Sequence, residues 1–250
     1  MLETAIEAAY TAGKLLRQNF GSPLNVNEAS HHDIKLELDV QAQKAITKVI
    51  LADFPEHAIL GEEGVSGPAD AEVRWVIDPL DGTVNFFYGI PFYAVSIAAQ
   101  QRVGDGWQTM AGAVYAPEMD EMFAAERGAA PTLNGRAIRV SERAELSEAI
   151  VGFGFFKSEE TIQQGLRTVQ YLTPRVRKMR LMGAAALDTV YVACGRFDGY
   201  IEYGIRLWDI CAGQLILEQA GGRVDSVPGT KPNSFDVRMS NGKVKLDFDA

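Results

Sequence analysis

Soft metal ligands are scarce in this chain. It has two cysteines, Cys194 and Cys211, and three histidines in 250 residues. Two cysteines are too few for a disulfide framework, and their separation is not that of a thiolate metal site. Both are expected as free core thiols in a reducing compartment. His31-His32 invites a metal reading, but adjacent side chains point in different directions and no third histidine has suitable spacing. Long apolar runs are also missing. The longest, Phe92 to Ala99, is interrupted by Ser96, far short of the roughly 18 residues of a membrane span. The start, Met1-Leu2-Glu3-Thr4, has neither the basic nor the apolar region of a secretory signal. A cytoplasmic protein is therefore expected. Basic excess is absent: 24 Lys+Arg against 33 Asp+Glu leave a net charge of −9. Such a balance argues against nucleic acid and membrane surfaces as partners. It still permits phosphate esters, because a bound cation reverses the local sign of an acidic site.

What remains is the composition of a globular protein, 47% hydrophobic and 23% charged. The length suits one large or two modest domains. Leu2, Ile6, Ala9, Gly13, Leu16 and Phe20 fall on one face of a helix that Gly21 and Pro23 end. Ala42, Ala45, Ile46, Val49 and Ile50 mark a second helix, stopped before Pro55. From Ala58 the texture changes to short apolar, β-branched runs: 58–60, 73–77, 93–98, 111–115 and 121–124. A strand at 150–153 precedes a helix opened by Ser158, Glu159 and Glu160. A helix at 183–194, a strand at 197–203 and a helix at 209–220 follow. Helices in one stretch and strands in the next predict a layered α/β architecture. No linker marks a seam, and 134–148 is the best place for one.

Three acidic clusters stand beside strand ends or helix starts: Gly61-Glu62-Glu63-Gly64, the segment Trp75 to Phe86, and Trp208-Asp209. In the second, a hydrophobic strand delivers Asp78 to its C-terminal end. Pro79 fixes φ and removes a donor, so a turn is expected before Asp81. An isolated acid before a turn is usually a cap or a solvated side chain. Two so close would repel unless a cation sat between them. Gly82 lets backbone approach a ligand, and a helical turn beginning at Gly82 and Thr83 would offer free N–H groups to an anion. Hard oxygen donors without nearby His or Cys suit Mg2+ rather than zinc.

WVIDPLDGTVNF with Gly89-Ile-Pro-Phe92, WDICAGQLILEQAGG and GEEG occur in that order. On these motifs the chain resembles the inositol monophosphatase family of Mg2+-dependent phosphatases, over nearly its whole length. The resemblance implies an α+β sandwich of alternating α/β/α/β/α layers. It implies a metal- and phosphate-binding domain over residues 1–140, and a second α/β domain over 141–250 contributing Asp209 and a substrate wall. Two or three Mg2+ are implied, with Glu62, Asp78, the Leu80 carbonyl, Asp81 and Asp209 as ligands. Gly82 and Thr83 would hold the phosphate through their N–H groups. Thr83, paired with Asp39 and close to Glu63, would polarise the attacking water. Asp39 sits where Leu36 and Leu38 replace a frequent Thr.

Asp81, Gly82, Thr83, Ala185 and Glu202 would face the substrate, and Glu202 suits a polyhydroxylated leaving group. Phe155 stands where a serine is usual, followed by Phe156. The implied reaction is in-line attack of a metal-activated water on a small phosphate monoester, inositol 1-phosphate first. Fructose 1,6-bisphosphate, histidinol phosphate and 3′-phosphoadenosine 5′-phosphate are alternatives. A homodimer and lithium sensitivity are also implied. An aspartyl-phosphate mechanism would need one residue between its two acids; here Pro79 and Leu80 separate Asp78 from Asp81. Arg175 to Arg180 reads as a solvated or interface face, and Trp75 and Trp208 as packing residues.

Overall fold

The structure, a computed structural model, describes residues 1–29, 34–155 and 158–246. His31, His32 and Phe156 lie outside the described residues. Helix α1 (Leu2–Asn19) buries Ala5, Ala8, Ala9, Ala12, Gly13 and Leu16. The buried stripe is therefore centred on small side chains, with Leu2 and Ile6 at its margin. Small residues let the helix axis approach the sheet beneath it. Strands β1 (Val26–Ala29) and β2 (Ile34–Leu36) pair antiparallel in a stretch where no element was expected. Helix α2 (Glu37–Asp53) begins before the apolar stripe does, and Asp39 lies in its first turn.

The larger sheet contains β3 (Ala58–Gly61), β4 (Gly64–Ser66) and β5 (Val73–Asp81). The short helix α3 (Thr83–Phe87) follows, then β6 (Ala94–Val103), β7 (Gly106–Ala116), β8 (Glu121–Glu126), β9 (Thr132–Leu133) and β10 (Arg136–Ala137). Its eight strands run β10-β9-β8-β7-β6-β5-β3-β4. The β3–β5 pair is parallel. The second sheet uses β11 (Ile150–Phe155), then α4 (Glu159–Leu172), β12 (Lys178–Arg180), α5 (Ala185–Ala193), β13 (Gly199–Arg206) and α6 (Leu207–Gln219). It is completed by β14 (Arg223–Pro228) and β15 (Ser234–Ser240), in the order β12-β11-β13-β15-β14. Helix α4 starts as expected, with Ser158 accepting the Thr161 N–H.

Alternation along β5 explains the layering. Trp75 and Ile77 face α1 and α2, together with Val95, Ile97 and Ala113. Val76, with Ala94, Ala98 and Val114, faces the opposite way into a cluster with α5, α6, Tyr200 and Met239. Val151, Phe153, Ile201 and Tyr203 bury the far side of the second sheet with Leu172 of α4. The result is a mixed α/β fold of five layers, α, β, α, β, α, with α5 and α6 between the two sheets. Both cysteines are free; Cys211 is buried and Cys194 half-buried. Among the described residues, no helix is long and apolar enough to cross a membrane.

Candidate active site

The expected turn at Pro79 is absent: β5 continues as strand to Asp81. Asp78 pairs with Ser96 and Asp81 with Ala94, so three steps on β5 face two on β6. The extra residue is a β-bulge, where a residue without an N–H is tolerated. It has a chemical consequence. Residues i and i+3 of a regular strand point to opposite faces. With the bulge, Asp78 and Asp81 lie opposite Ser96 and Ala94, which share the face packed on α5 and α6. Both acids thus point toward the helices of the middle layer.

Two elements bring the other acids there. Parallel pairing of β3 with β5 sets Gly61 against Ile77, so the two C-terminal ends lie side by side. Glu62 follows at once, its N–H donating to the Ile77 carbonyl (3.1 Å). Helix α6 is fixed over β6 by Ser96 Oγ, which donates to the Trp208 carbonyl (3.1 Å), and by Gln100 Nε2 on Cys211 Sγ (3.1 Å). That places Asp209 beside Asp78. One carboxylate oxygen from each of Glu62, Asp78 and Asp209 lies within 4.8 Å of the others.

Backbone amides hold these acids. Asp78 Oδ1 accepts the Leu80 N–H (2.9 Å), and Asp209 Oδ2 accepts the Arg206 N–H (3.0 Å). Asp81 receives two bonds from the start of α5, from Ala185 N–H (3.2 Å) and Ala186 N–H (2.7 Å). Such bonds favour the charged form, as does the helix N-terminus. They do not prevail here. Burial, then the charges of Glu62, Asp209 and Asp81, raise Asp78 well above the ordinary carboxylate range. Burial lifts Asp81 to about 8. Burial and then Asp81 raise Asp209 well above its usual value. Carboxylates crowded this way fit a hard divalent cation, which supplies the missing positive charge and accepts only oxygen donors.

Gly82 has φ +89° and caps the five-residue α3. Thr83 Oγ1 donates to the Leu80 carbonyl (3.0 Å). Its hydroxyl is thus seated on the oxygen expected to ligate a metal. Asp39 is buried in α2, with Oδ2 accepting the Leu36 N–H (2.9 Å). Glu63 is half-buried in the same turn as Glu62.

A cavity of about 250 Å3 opens from Asp81 toward the second sheet, lined in part by Phe155, Ala185, Asp188, Tyr200 and Glu202. Expected residues Ala185 and Glu202 are both there. Burial raises Glu202 to about 7 although the Tyr200 hydroxyl donates to its Oε2. Asp188 was not among the expected residues. It is 2% exposed, its Oδ1 has no hydrogen-bond partner among the described residues, and burial, then Glu202, raise it well above its ordinary range. Nor was Asn85, whose Nδ2 donates to the carbonyls of Phe92 and Met182 (both 2.8 Å) and ties α3 to the segment before α5. Asn85 lies inside the recognised motif, but no sequence signal pairs it with residue 182. Trp75 is fully buried, and the basic run ends in the exposed edge strand β12.

The inositol monophosphatase family profile matches residues 1–246. A protein called Nus factor SuhB from Pseudomonas aeruginosa is 38% identical over 238 residues, covering 92% of this chain and 86% of its own length. An inositol-1-monophosphatase from Rhizobium meliloti is 36% identical, covering 93% of this chain and 88% of its own. The crystal structure of the extragenic suppressor protein suhB from Bartonella henselae superposes with a TM-score of 0.86 at 34% identity, covering 96% and 93% of the two chains.

Proposed function

The chain belongs to the inositol monophosphatase family, and on that premise we propose that it hydrolyses a small phosphate monoester with Mg2+, inositol 1-phosphate first. The observation that carries this reading is the convergence of Glu62, Asp78 and Asp209 at the bulged end of β5. In it, Glu62, Asp78, Asp81, Asp209 and the Leu80 carbonyl hold the cations. Bound Mg2+ would neutralise the phosphoryl oxygens and lower the pKa of the attacking water. The N–H groups of Gly82 and Thr83 bind and orient the phosphate. Thr83, paired with Asp39 and with Glu63 close by, would polarise the attacking water. Glu202, oriented by Tyr200, binds a leaving-group hydroxyl, and Ala185 lies against its ring.

The same reading divides the chain into a metal- and phosphate-binding part over 1–140 and a substrate-wall part over 141–250. The large sheet within the first and the smaller sheet within the second support that division. A homodimer inhibited by lithium belongs to the reading as well.

The test is phosphate release with Mg2+ from inositol 1-phosphate, fructose 1,6-bisphosphate, histidinol phosphate and 3′-phosphoadenosine 5′-phosphate, with Asp78→Asn as control. A lead of about a hundredfold for one ester, about 2.7 kcal/mol of transition-state discrimination, names the substrate. Turnover by Asp78→Asn equal to wild type would overturn the assignment. The Pseudomonas relative's name supports a second reading, service as a Nus factor. No release from any of the four esters, with Mg2+ still bound, would favour it.

A further inference from the structure

The turn that carries Glu62 and Glu63 has local help only from Gly64, whose φ is +140°. Gly61 pairs with Gly64, so Glu62 and Glu63 are the two loop residues of a tight hairpin. Such loops ordinarily need positive φ at one or both central positions. Neither Glu62 nor Glu63 is among the residues with positive φ. Further support comes from α2. Gln43, one helical turn after Asp39, reaches across to the hairpin and is buried there. Its Oε1 accepts the Glu63 N–H (2.9 Å), and its Nε2 donates to the Gly64 carbonyl (3.1 Å). A Cβ on Gly61 would fall within the Gln43 carboxamide, so the glycine makes the space in which the carboxamide sits.

We propose that Gln43 is a positioning residue of the metal site, whose carboxamide clamps the Glu62-Glu63 turn and sets its affinity for a divalent cation. The proposal rests on the functional reading above. A ligand borne on a loosened turn must be ordered when the cation binds, and that ordering is subtracted from affinity. Groups that orient metal ligands typically alter affinity 10–100-fold. The clamp touches only the backbone of the turn and none of the reacting groups, so its larger effect falls on cation binding.

The experiment titrates Mg2+ calorimetrically into wild type, Gln43→Leu and Gln43→Asn. Asparagine keeps the amide but is one methylene too short. Thermal unfolding without metal monitors the fold of both variants. The expected result is Mg2+ binding weakened about 10-fold in each variant, with a smaller loss of turnover at saturating Mg2+. A merely structural glutamine would lower the metal-free melting temperature and leave Mg2+ affinity unchanged; that outcome overturns the clamp alone. Loss of turnover at saturating Mg2+ with unchanged affinity overturns it too. If wild type binds no Mg2+, the metal reading itself falls and the clamp with it.

Discussion

The acids at the end of β5 and those around β13 are held in different ways. Asp78, Asp81 and Asp209 each accept backbone N–H groups, whose positions the sheet bulge and helix starts fix. Glu202 is held by another side chain, the Tyr200 hydroxyl, and Asp188 Oδ1 by nothing among the described residues. Backbone donors cannot be removed by changing one side chain. A side-chain partner can be lost or exchanged in a single substitution. The first arrangement suits charges that every phosphate ester requires, and the second suits groups that choose among leaving groups.

The largest break in this contrast is Asp78→Asn. It should lower turnover by about 10³-fold or more, since metal-derived stabilisation is worth several kcal/mol at about 1.36 kcal/mol per decade. The metal-free fold should survive with an undiminished melting temperature, because one buried, repelling carboxylate is gone. Steady-state kinetics and calorimetry check both halves. Glu202→Gln should cost less and be selective. A hydrogen bond to a charged group contributes about 1.5–3 kcal/mol, so inositol phosphate turnover should fall roughly 10–100-fold. Hydrolysis of a simple aryl phosphate should fall much less. Equal losses on both esters would deny Glu202 a leaving-group role.

A pH titration of stability sharpens the comparison further. Asp81 is raised from 3.8 to about 8 and Glu202 from 4.5 to about 7. With folded values above unfolded ones, the folded state binds more protons. The stabilisation is therefore fully present below about pH 4 and lost as pH rises through the folded values, by about pH 8. Metal-free protein should melt higher at pH 5 than at pH 8. Mg2+ should close that gap for the β5 acids while leaving the share due to Glu202 and Asp188. A melting temperature independent of pH without metal would contradict this. The smallest effect is expected from Asp188→Asn. An amide tolerates burial better than an unpaired acid, so a gain of about 1 kcal/mol is expected, with a flatter pH profile between 5 and 8. Denaturant melts at both pH values measure it.

The residues differ in how plainly they announced these roles. Asp78, Asp81 and Gly82 sit in one short motif, so the roles proposed for them could be argued from spacing. Helix α4 was legible from Ser158 and its first-turn acids, because caps are local. Of the stripe read for α1, Ala9, Gly13 and Leu16 are buried and Leu2, Ile6 and Phe20 pack at its margin, since a sheet that admits small side chains also buries Ala5 and Ala8. Strand β14 went unread because Asp225-Ser226 interrupts its alternation, and β15 went unread although Phe235, Val237 and Met239 alternate with polar residues. Asp188 and Gln43 looked like any polar residue of a helix. Their meaning lies in partners far along the chain.

The sequence by itself determined the donor chemistry, hard carboxylate oxygens without thiols or imidazoles, and the strand ends and helix starts that carry them. Those follow from residue type and local periodicity, which act over a few positions. Tertiary structure alone decided that Pro79 makes a bulge and not a turn, which puts Asp78 and Asp81 on one face. It also decided that β3 runs parallel to β5 and that α6 docks across β6, bringing Glu62 and Asp209 to the same point. Register and docking are fixed by packing between segments distant in sequence, and no window of the chain contains both partners.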